Sequence, residues 1–157
     1  MRVFGLSARR EWIQSDKAMS ILITLFLFCL FLIGCAAISP YSPVAYEYAT
    51  TLKVDTMVLM DLATEPYSDH QSEISSLVIK LNQAYEYANG RPKNEISTTQ
   101  WEILKDPEGN LVGGFLERWK EKSTLSSAYI QEKKQQIAAA FDTIIGLESK
   151  KIKPNEL

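Results

Sequence analysis

The chain has 157 residues, a net charge of −2 at pH 7 and two cysteines, both within the first 35 residues. The basic residues are not concentrated in one segment, as they are in nucleic-acid-binding proteins. We therefore expect no nucleic-acid partner. The lack of cysteine after residue 35 excludes disulfides, thiolate metal sites and a cysteine nucleophile from that part of the chain. The 122 residues that follow suffice for one domain with a hydrophobic core.

The N-terminal segment has the pattern of an export signal. An apolar run at 21–33 contains one polar residue, Thr24. Its 13 residues match the apolar region of a signal peptide, whereas a membrane-spanning helix usually needs about 20. Four basic residues precede the run: Arg2, Arg9, Arg10 and Lys17. The segment therefore predicts export from the cytoplasm.

The apolar run ends in Leu32, Ile33, Gly34 and Cys35. These four residues resemble the lipobox of bacterial lipoproteins, which is an aliphatic, a small or aliphatic, a small residue and then cysteine. Cys29 does not fit this pattern, because the large Phe28 precedes it. The resemblance implies that a signal peptidase recognises the three residues before Cys35 and removes 1–34. It also implies that Cys35 carries a diacylglyceryl group, often with a third acyl chain on its amine.

Two or three acyl chains attach a protein stably to a bilayer. The resemblance therefore implies a protein of the bacterial cell envelope that faces the periplasm or the exterior. Ala36, rather than aspartate, implies the outer membrane in a bacterium with two membranes. The alternative is an uncleaved anchor, because 18–38 is 21 uncharged residues and is long enough to span. Both alternatives place the C-terminal domain on the same, non-cytoplasmic side.

The chain is divided into a signal peptide at 1–34, a lipidated tether at 35–42 and a helical-bundle domain at 43–153. Pro40 and Pro43 favour an extended path for the tether. Ser42 is a suitable N-cap for a first helix at 43–63, with Pro43 at its first position. The sequence Glu65-Pro66 ends this helix.

The second helix has the clearest pattern. A capping box is predicted at its start, with Ser68 as the first residue and Gln71 as the last. Its apolar side follows at three- and four-residue steps: Ile74, Leu77, Val78, Leu81, Ala84, Tyr85 and Ala88. Gly90 lies where a C-terminal cap belongs. We therefore predict a helix that ends just before Gly90.

The third helix is predicted to be broken by a turn at 106–109. Ser97 with Gln100 predicts a cap for its first half. Gly113 and Gly114 in its second half cost helix stability, about 1 kcal/mol each, and indicate either close contact with a neighbour or fraying.

The last helix is predicted to begin at an N-cap, Ser126, with Leu125 and Ile130 as a hydrophobic staple. One side of it carries Ile130, Ile137, Ala138, Phe141, Ile144, Ile145 and Glu148. Lysines suit the negative end of this helix, and Pro154 stops it. No stretch alternates as a strand. The predicted fold is all-α, an antiparallel four-helix bundle with a broken third helix.

A five-residue repeat, AYEYA, occurs at 45–49 and at 84–88. In an antiparallel hairpin, both copies lie at the end of the bundle that carries the tether. This end collects candidate contacts with lipid headgroups: Tyr46, Tyr48, Tyr85, Tyr87, Lys150, Lys151 and Lys153. The alternative is half-buried packing tyrosines and lysines that complement a helix dipole, and this alternative is favoured because such lysines are common.

Few residues suggest catalysis. His70 is the only histidine, and we expect it to be solvated near a helix start, with no metal or cofactor. The carboxylates are expected on solvated helix faces. Trp101, Phe115 and Trp119 flank the predicted turn and are either core residues or an exposed partner-binding patch. Large aromatic residues at helical spacing more often belong to a core.

These observations favour a non-enzymatic, lipid-anchored helical module that concentrates an envelope protein partner at the membrane. One alternative is a small-ligand-binding lipoprotein, with Trp101, Trp119 and tyrosines around a pocket in the bundle. Another alternative, the least favoured, is hydrolysis by paired carboxylates. The interaction role is inferred from the absence of catalytic motifs, because the sequence contains no direct signal for a partner.

Overall fold

The computed structural model of the chain describes residues 39–149, so the predicted signal peptide, Cys35 and the lysines at 150, 151 and 153 lie outside the described residues. Within residues 39–149 there are five α-helices: α1 Pro43–Asp61, α2 Gln71–Asn89, α3 Glu95–Lys105, α4 Val112–Lys122 and α5 Ser127–Glu148. Two 3₁₀ segments, Leu62–Thr64 and Tyr67–His70, lie between α1 and α2. The described part of the chain contains no strand, which confirms the all-α prediction. None of the helices between residues 39 and 149 has the length and apolar character to cross a lipid bilayer.

Four of the helices surround the hydrophobic core. α1 packs against α2 and α5, and α3 also packs against both α2 and α5. α4 packs on α3 and on the 3₁₀ segment Tyr67–His70. The largest fully buried side chains are Trp101, Trp119, Phe115, Phe141, Leu52 and Met60. All five helices therefore contribute to the core: α3, α4 and α5 supply its buried aromatic side chains, and α1 and α2 supply aliphatic ones.

Three of the predicted helix caps are confirmed. The Ser42 hydroxyl accepts a hydrogen bond from the Ala45 amide at 3.2 Å, and Pro43 is the first residue of α1. The Ser126 hydroxyl accepts one from the Tyr129 amide at 3.4 Å. Gly90 is the C-cap of α2. Each of these caps depends on residues within one helical turn, which is why the sequence predicts them well.

Two other predicted caps are wrong. The Ser68 hydroxyl donates to the Asp69 carboxylate, so residues 67–70 form a 3₁₀ segment and α2 begins at Gln71 without a capping box. Ser97 is buried inside α3, which begins at Glu95. Asn94 precedes α3 instead, and its side-chain amide donates to the Ala88 carbonyl at 2.9 Å. This bond joins the ends of α2 and α3 and sets where α3 starts.

The glycine pair in α4 allows a close approach of backbone to backbone. A methyl group at Gly113 would collide with the carbonyls of Lys105 and Asp106, and one at Gly114 with the carbonyl of Gly109. The start of α4 therefore lies directly against the turn that follows α3. Of the two predicted explanations for the pair, close contact is confirmed.

We call the end of the body opposite residues 39–42 the far end. It is formed by residues 62–70, which connect α1 to α2, and by residues 115–125, which include Trp119 and Ser123. The Trp119 indole donates to the Glu65 carbonyl at 3.0 Å. The Tyr67 amide donates to the Ser123 carbonyl at 2.8 Å. These two bonds join segments that are distant in sequence, and they close this end of the core.

Candidate functional site

Two tyrosines of the repeat meet where the tether enters the body. The Tyr87 and Ser42 hydroxyls are 2.8 Å apart, and the rings of Tyr87 and Tyr48 are 5.7 Å apart. The two copies of the repeat therefore lie side by side, as the antiparallel hairpin predicts. We call this end of the body, formed by residues 39–49, 84–94 and 144–149, the tethered end.

The other two predicted tyrosines lie apart from this pair. Tyr46 is exposed, and its ring lies 6.5 Å from that of Tyr41, which is 49% exposed. Tyr85 faces α3, where the Lys105 ammonium lies 4.5 Å from the centre of its ring. The predicted cluster of four is thus divided between packing and solvent. Tyr41, which sequence reasoning missed, joins Tyr46 as the exposed aromatic pair of the tethered end.

Arg91, also missed by sequence reasoning, joins three segments of the tethered end. Its guanidinium lies 2.6 Å from a carboxylate oxygen of Glu148 at the end of α5. It also donates to the Pro40 carbonyl of the tether. The guanidinium carbon lies 5.9 Å from the centre of the Tyr87 ring. One cation therefore contacts the tether, the end of α2 and the end of α5.

Glu148 is the buried partner of this ion pair. Its side chain is 2% exposed, and its second oxygen, Oε1, has no hydrogen-bond partner in the part of the chain described. Glu148 continues the apolar spacing of Phe141 and Ile144 along α5. A carboxylate at such a position needs a cation, since burying an unpaired charge is costly. That spacing is the sequence signal that points to a buried pair.

The last residues of the predicted tether are docked on the body. Ser39 and Ser42 are 5% and 8% exposed, and Pro40 accepts the hydrogen bond from Arg91. Residues 39–42 form no helix or strand, so the structure agrees with an extended path there and adds that this part of the predicted tether is bound to the body. These residues are held because buried polar partners at the tethered end bind them.

At the far end, His70 has a packing role. Its Nε2 lies 2.8 Å from the Glu65 carboxylate, and its ring lies 5.7 Å from that of Trp119. The His70 side chain is only 12% exposed, so the expectation of a solvated histidine is wrong. Within residues 39–149, no group of three histidine, cysteine or acidic side chains is arranged to hold a metal ion.

Tyr129, at the start of α5, packs against the aromatic side chains of α4. Its ring is stacked on that of Phe115 at 6.2 Å, and the Arg118 guanidinium carbon lies 4.7 Å from its centre. Burial raises the pKa of the Tyr129 phenol above its usual value, and the Arg118 charge opposes this rise. The phenol therefore stays protonated and neutral in ordinary conditions.

Of the two interpretations of the aromatic residues, the favoured one, that they belong to the core, is confirmed, and the exposed partner-binding patch is wrong. Trp101, Phe115 and Trp119 are 2%, 1% and 0% exposed. Trp101 packs edge-on against Phe141 at 6.1 Å. The glycine pair of α4 lets this helix approach closely, so its aromatic residues turn into the core. These three residues are core, and the two tryptophans are covered by protein on all sides.

Exposed apolar side chains lie instead along α1 and α2. Val44 and Val58 of α1 are 45% and 60% exposed, and Val54 of α1 and Ile79 of α2 are also exposed. Two adjoining depressions run between the helices, and Lys80 lines both of them. We call this surface the α1–α2 groove. One wall is formed by residues 44–62, which are α1 and the first residue of the 3₁₀ segment after it, and the other wall by residues 72–83 of α2. Sequence reasoning missed it, although valines on the polar side of α1 are its signal.

Comparison with protein-family models, curated proteins and solved structures finds no match for this chain. The tethered end and the α1–α2 groove are the two structural features that bear on the function of the protein. The tethered end joins the body to the segment that follows Cys35. The groove is a surface that a partner can reach.

Proposed function

We propose that the protein is a lipid-anchored, all-α module of the bacterial cell envelope that holds a partner protein at the membrane. The observation that carries this proposal is the sequence Leu32-Ile33-Gly34-Cys35 after a basic start and an apolar run. It assigns the diacylglyceryl group to Cys35. The body faces the periplasm or the exterior, and the outer membrane is favoured where there are two membranes, because Ala36 follows the cysteine.

The docked tether supports a close and oriented attachment. Only residues 36–38 separate Cys35 from the docked residues 39–42. Three residues reach roughly 10 Å at full extension. A lipid on Cys35 would therefore hold the tethered end against the headgroups, where the exposed Tyr41 and Tyr46 suit an interface.

We further propose that the body is the antiparallel four-helix bundle with a broken third helix. The contacts of α1, α2, α3 and α5 support this arrangement, because each packs against two of the others in a closed ring. In this arrangement α3 and α4 together take the place of the third helix. The glycine pair and the turn before it account for the break.

The proposal assigns no catalytic group, cofactor or nucleic acid to the protein. His70 and Glu148, the side chains of greatest chemical interest, are both used to join segments. That use supports structural roles for both. An interaction role is supported by the exposed apolar side chains of the α1–α2 groove, since such surfaces on a folded protein commonly mark contact with a partner.

The lipid anchor is tested by expressing the full chain in a bacterium that processes lipoproteins and measuring the intact mass of the membrane-bound protein. We expect the wild type to lack residues 1–34 and to gain a diacylglyceryl group. Cys35→Ser prevents both changes. Cys29→Ser is the matched control and is processed like the wild type. A wild-type mass equal to the unmodified 157 residues would show that 18–38 is an uncleaved anchor instead.

A further inference from the structure

Helix α1 is apolar on two sides. One side packs in the core through Ala49, Leu52 and Leu59. The other side carries Val44, Val54 and Val58, all of them exposed. Only four of its 19 residues are charged: Glu47, Lys53, Asp55 and Asp61. Helices that are apolar all round are normally covered on every side, so the outer side of α1 has the character of a contact surface.

The α1–α2 groove has the length of a helix-binding site. Val44, Thr51 and Val58 form a row with seven-residue spacing along one wall, and Ser76 and Gln83 lie on the other. Val58 lies 14 positions after Val44, which corresponds to about 21 Å of helix. A helix of about four turns from a partner protein fits along this row, with the apolar residues of that helix between Val44 and Val58.

The lining of the α1–α2 groove is negatively charged. It contains three acidic residues and one lysine, a net charge of −2: Glu47, Asp55, Glu73 and Lys80. Lys80 is already paired with Asp55 at 2.8 Å. Glu47 and Glu73 line the groove without such a partner among the described residues.

We propose that the α1–α2 groove binds a cationic amphipathic helix of a protein partner. The apolar face of that helix covers Val44 and Val58, and its lysines or arginines lie against Glu47 and Glu73. This inference rests on the proposed role as an interaction module and names the chemistry of the partner. Complementary charge of this kind speeds association and rejects partners of the wrong sign.

The same charge disfavours two other occupants. A second copy of the chain would place two surfaces of net negative charge face to face across a symmetric interface. A bilayer with anionic lipids that covered the groove would be repelled by Glu47 and Glu73. A cationic helix is the occupant that satisfies both the exposed valines and the carboxylates.

The test uses the full chain in nanodiscs of zwitterionic phosphatidylcholine. The probe is a dye-labelled amphipathic peptide of about 16 residues, with leucines on one face and lysines on the other, followed by fluorescence anisotropy. Signal from empty discs is subtracted. We expect the wild type to bind and high salt to weaken binding. The same peptide with glutamates in place of lysines should not bind.

Three variants locate the binding. Val44→Ser with Val58→Ser should weaken binding at least tenfold, and Val58→Lys should weaken it by charge repulsion. The matched control is Ile103→Ser, because Ile103 is 48% exposed but lies on α3. Circular dichroism verifies that each variant is folded. Equal binding by the double variant and the wild type, or equal binding of the glutamate peptide, would overturn the proposal.

A photo-crosslinking residue at position 58 in living cells identifies the natural occupant. A crosslink to a segment with one basic and one apolar helical face supports the proposal. A crosslink to a second copy of this chain, to lipid, or to a segment without basic residues overturns it. The mass of the Cys35 form is read from the same cells. An unprocessed Cys35 with a crosslinked basic helix refutes the anchor alone, whereas a lipidated Cys35 with an acidic partner refutes the groove chemistry alone.

Discussion

The Arg91–Glu148 pair is the costliest group of atoms at the tethered end. Taking two charges out of water costs several kcal/mol per ion, and only close geometry and further hydrogen bonds offset this cost. Arg91 has such partners, because it contacts Glu148, Pro40 and the Tyr87 ring. One oxygen of Glu148 has no hydrogen-bond partner among residues 39–149. The pair is therefore a weak source of net stability and a strong determinant of where the tether lies.

Removing one member of this pair should be far worse than removing both. We expect Arg91→Met to lower the free energy of unfolding by about 3–5 kcal/mol, because it leaves a buried carboxylate without a cation. Arg91→Met combined with Glu148→Met should recover most of this loss. Urea denaturation of the four proteins of this cycle measures the effect.

The matched control for this cycle is Lys80→Met, which breaks the exposed pair with Asp55. Its expected effect is within about 1 kcal/mol, since exposed pairs contribute little. If Arg91→Met were no more destabilising than Lys80→Met, the buried pair would not hold the tethered end together.

At the scale of elements, the glycine pair decides how α4 meets α3. We expect Gly113→Ala or Gly114→Ala to destabilise the protein by about 1–3 kcal/mol, because the new methyl group collides with the backbone of the 105–109 turn. Helix propensity acts in the opposite direction, since alanine favours a helix by about 1 kcal/mol over glycine. The sign of the measured change therefore shows which effect is larger.

Gly90→Ala is the control for the glycine pair. A methyl group there would lie 3.4 Å from the Glu86 carbonyl, an ordinary contact, and the φ angle of Gly90 is −74°. We expect its thermal midpoint to equal that of the wild type. A similar loss of stability for Gly90→Ala and Gly114→Ala would mean that general helix effects, and not the close approach, explain the result.

The elements that the sequence predicted well depend on local interactions. The caps at Ser42, Gly90 and Ser126 involve neighbours within about one helical turn, and the apolar spacing of α2 needs only α2 itself. The start of α3 was mispredicted because Asn94 is bonded back to Ala88 at the end of α2. That bond is a property of the helix–helix connection, which periodicity does not contain.

The candidate sites depend on distant partners, and here sequence reasoning failed. Arg91 and Glu148 are 57 positions apart, and Trp119 and Glu65 are 54 positions apart. No rule of sequence spacing relates residues so far apart, so the Arg91–Glu148 pair was not predicted. For the same reason, the sequence alone did not decide whether Trp101 and Trp119 are buried or exposed. The exposed valines of α1 were visible in the sequence, but only the packing of α2 and α5 showed which side of α1 is left open.

At the scale of the whole molecule, the docked tether implies that a lipid on Cys35 orients the body. A free spacer would let the body rotate, whereas residues 39–42 are held by Arg91 and by burial at the tethered end. The α1–α2 groove runs along the body from the tethered end toward the far end. A partner helix in the groove would then lie at a large angle to the membrane surface.

This orientation predicts different lipid contact at the two ends. Asn89→Cys places a thiol at the tethered end, and Thr124→Cys places one at the far end; both positions are exposed. Each thiol is labelled with a fluorophore in the membrane-bound protein, where the proposed thioether to diacylglyceryl would keep the Cys35 sulfur from reacting with the label. We expect spin-labelled lipids in vesicles to quench the label at position 89 strongly and the label at position 124 weakly.

The buried arginine connects this prediction to the structure. Arg91→Met together with Glu148→Met removes the bond to the Pro40 carbonyl without leaving an unpaired buried charge. The tether is then released while the body stays folded, and the difference in quenching between positions 89 and 124 should shrink. Equal quenching at both positions in the wild type would mean that the body turns freely on its anchor. In that case the docked segment does not restrain the body at the membrane, and the groove has no set direction relative to the bilayer.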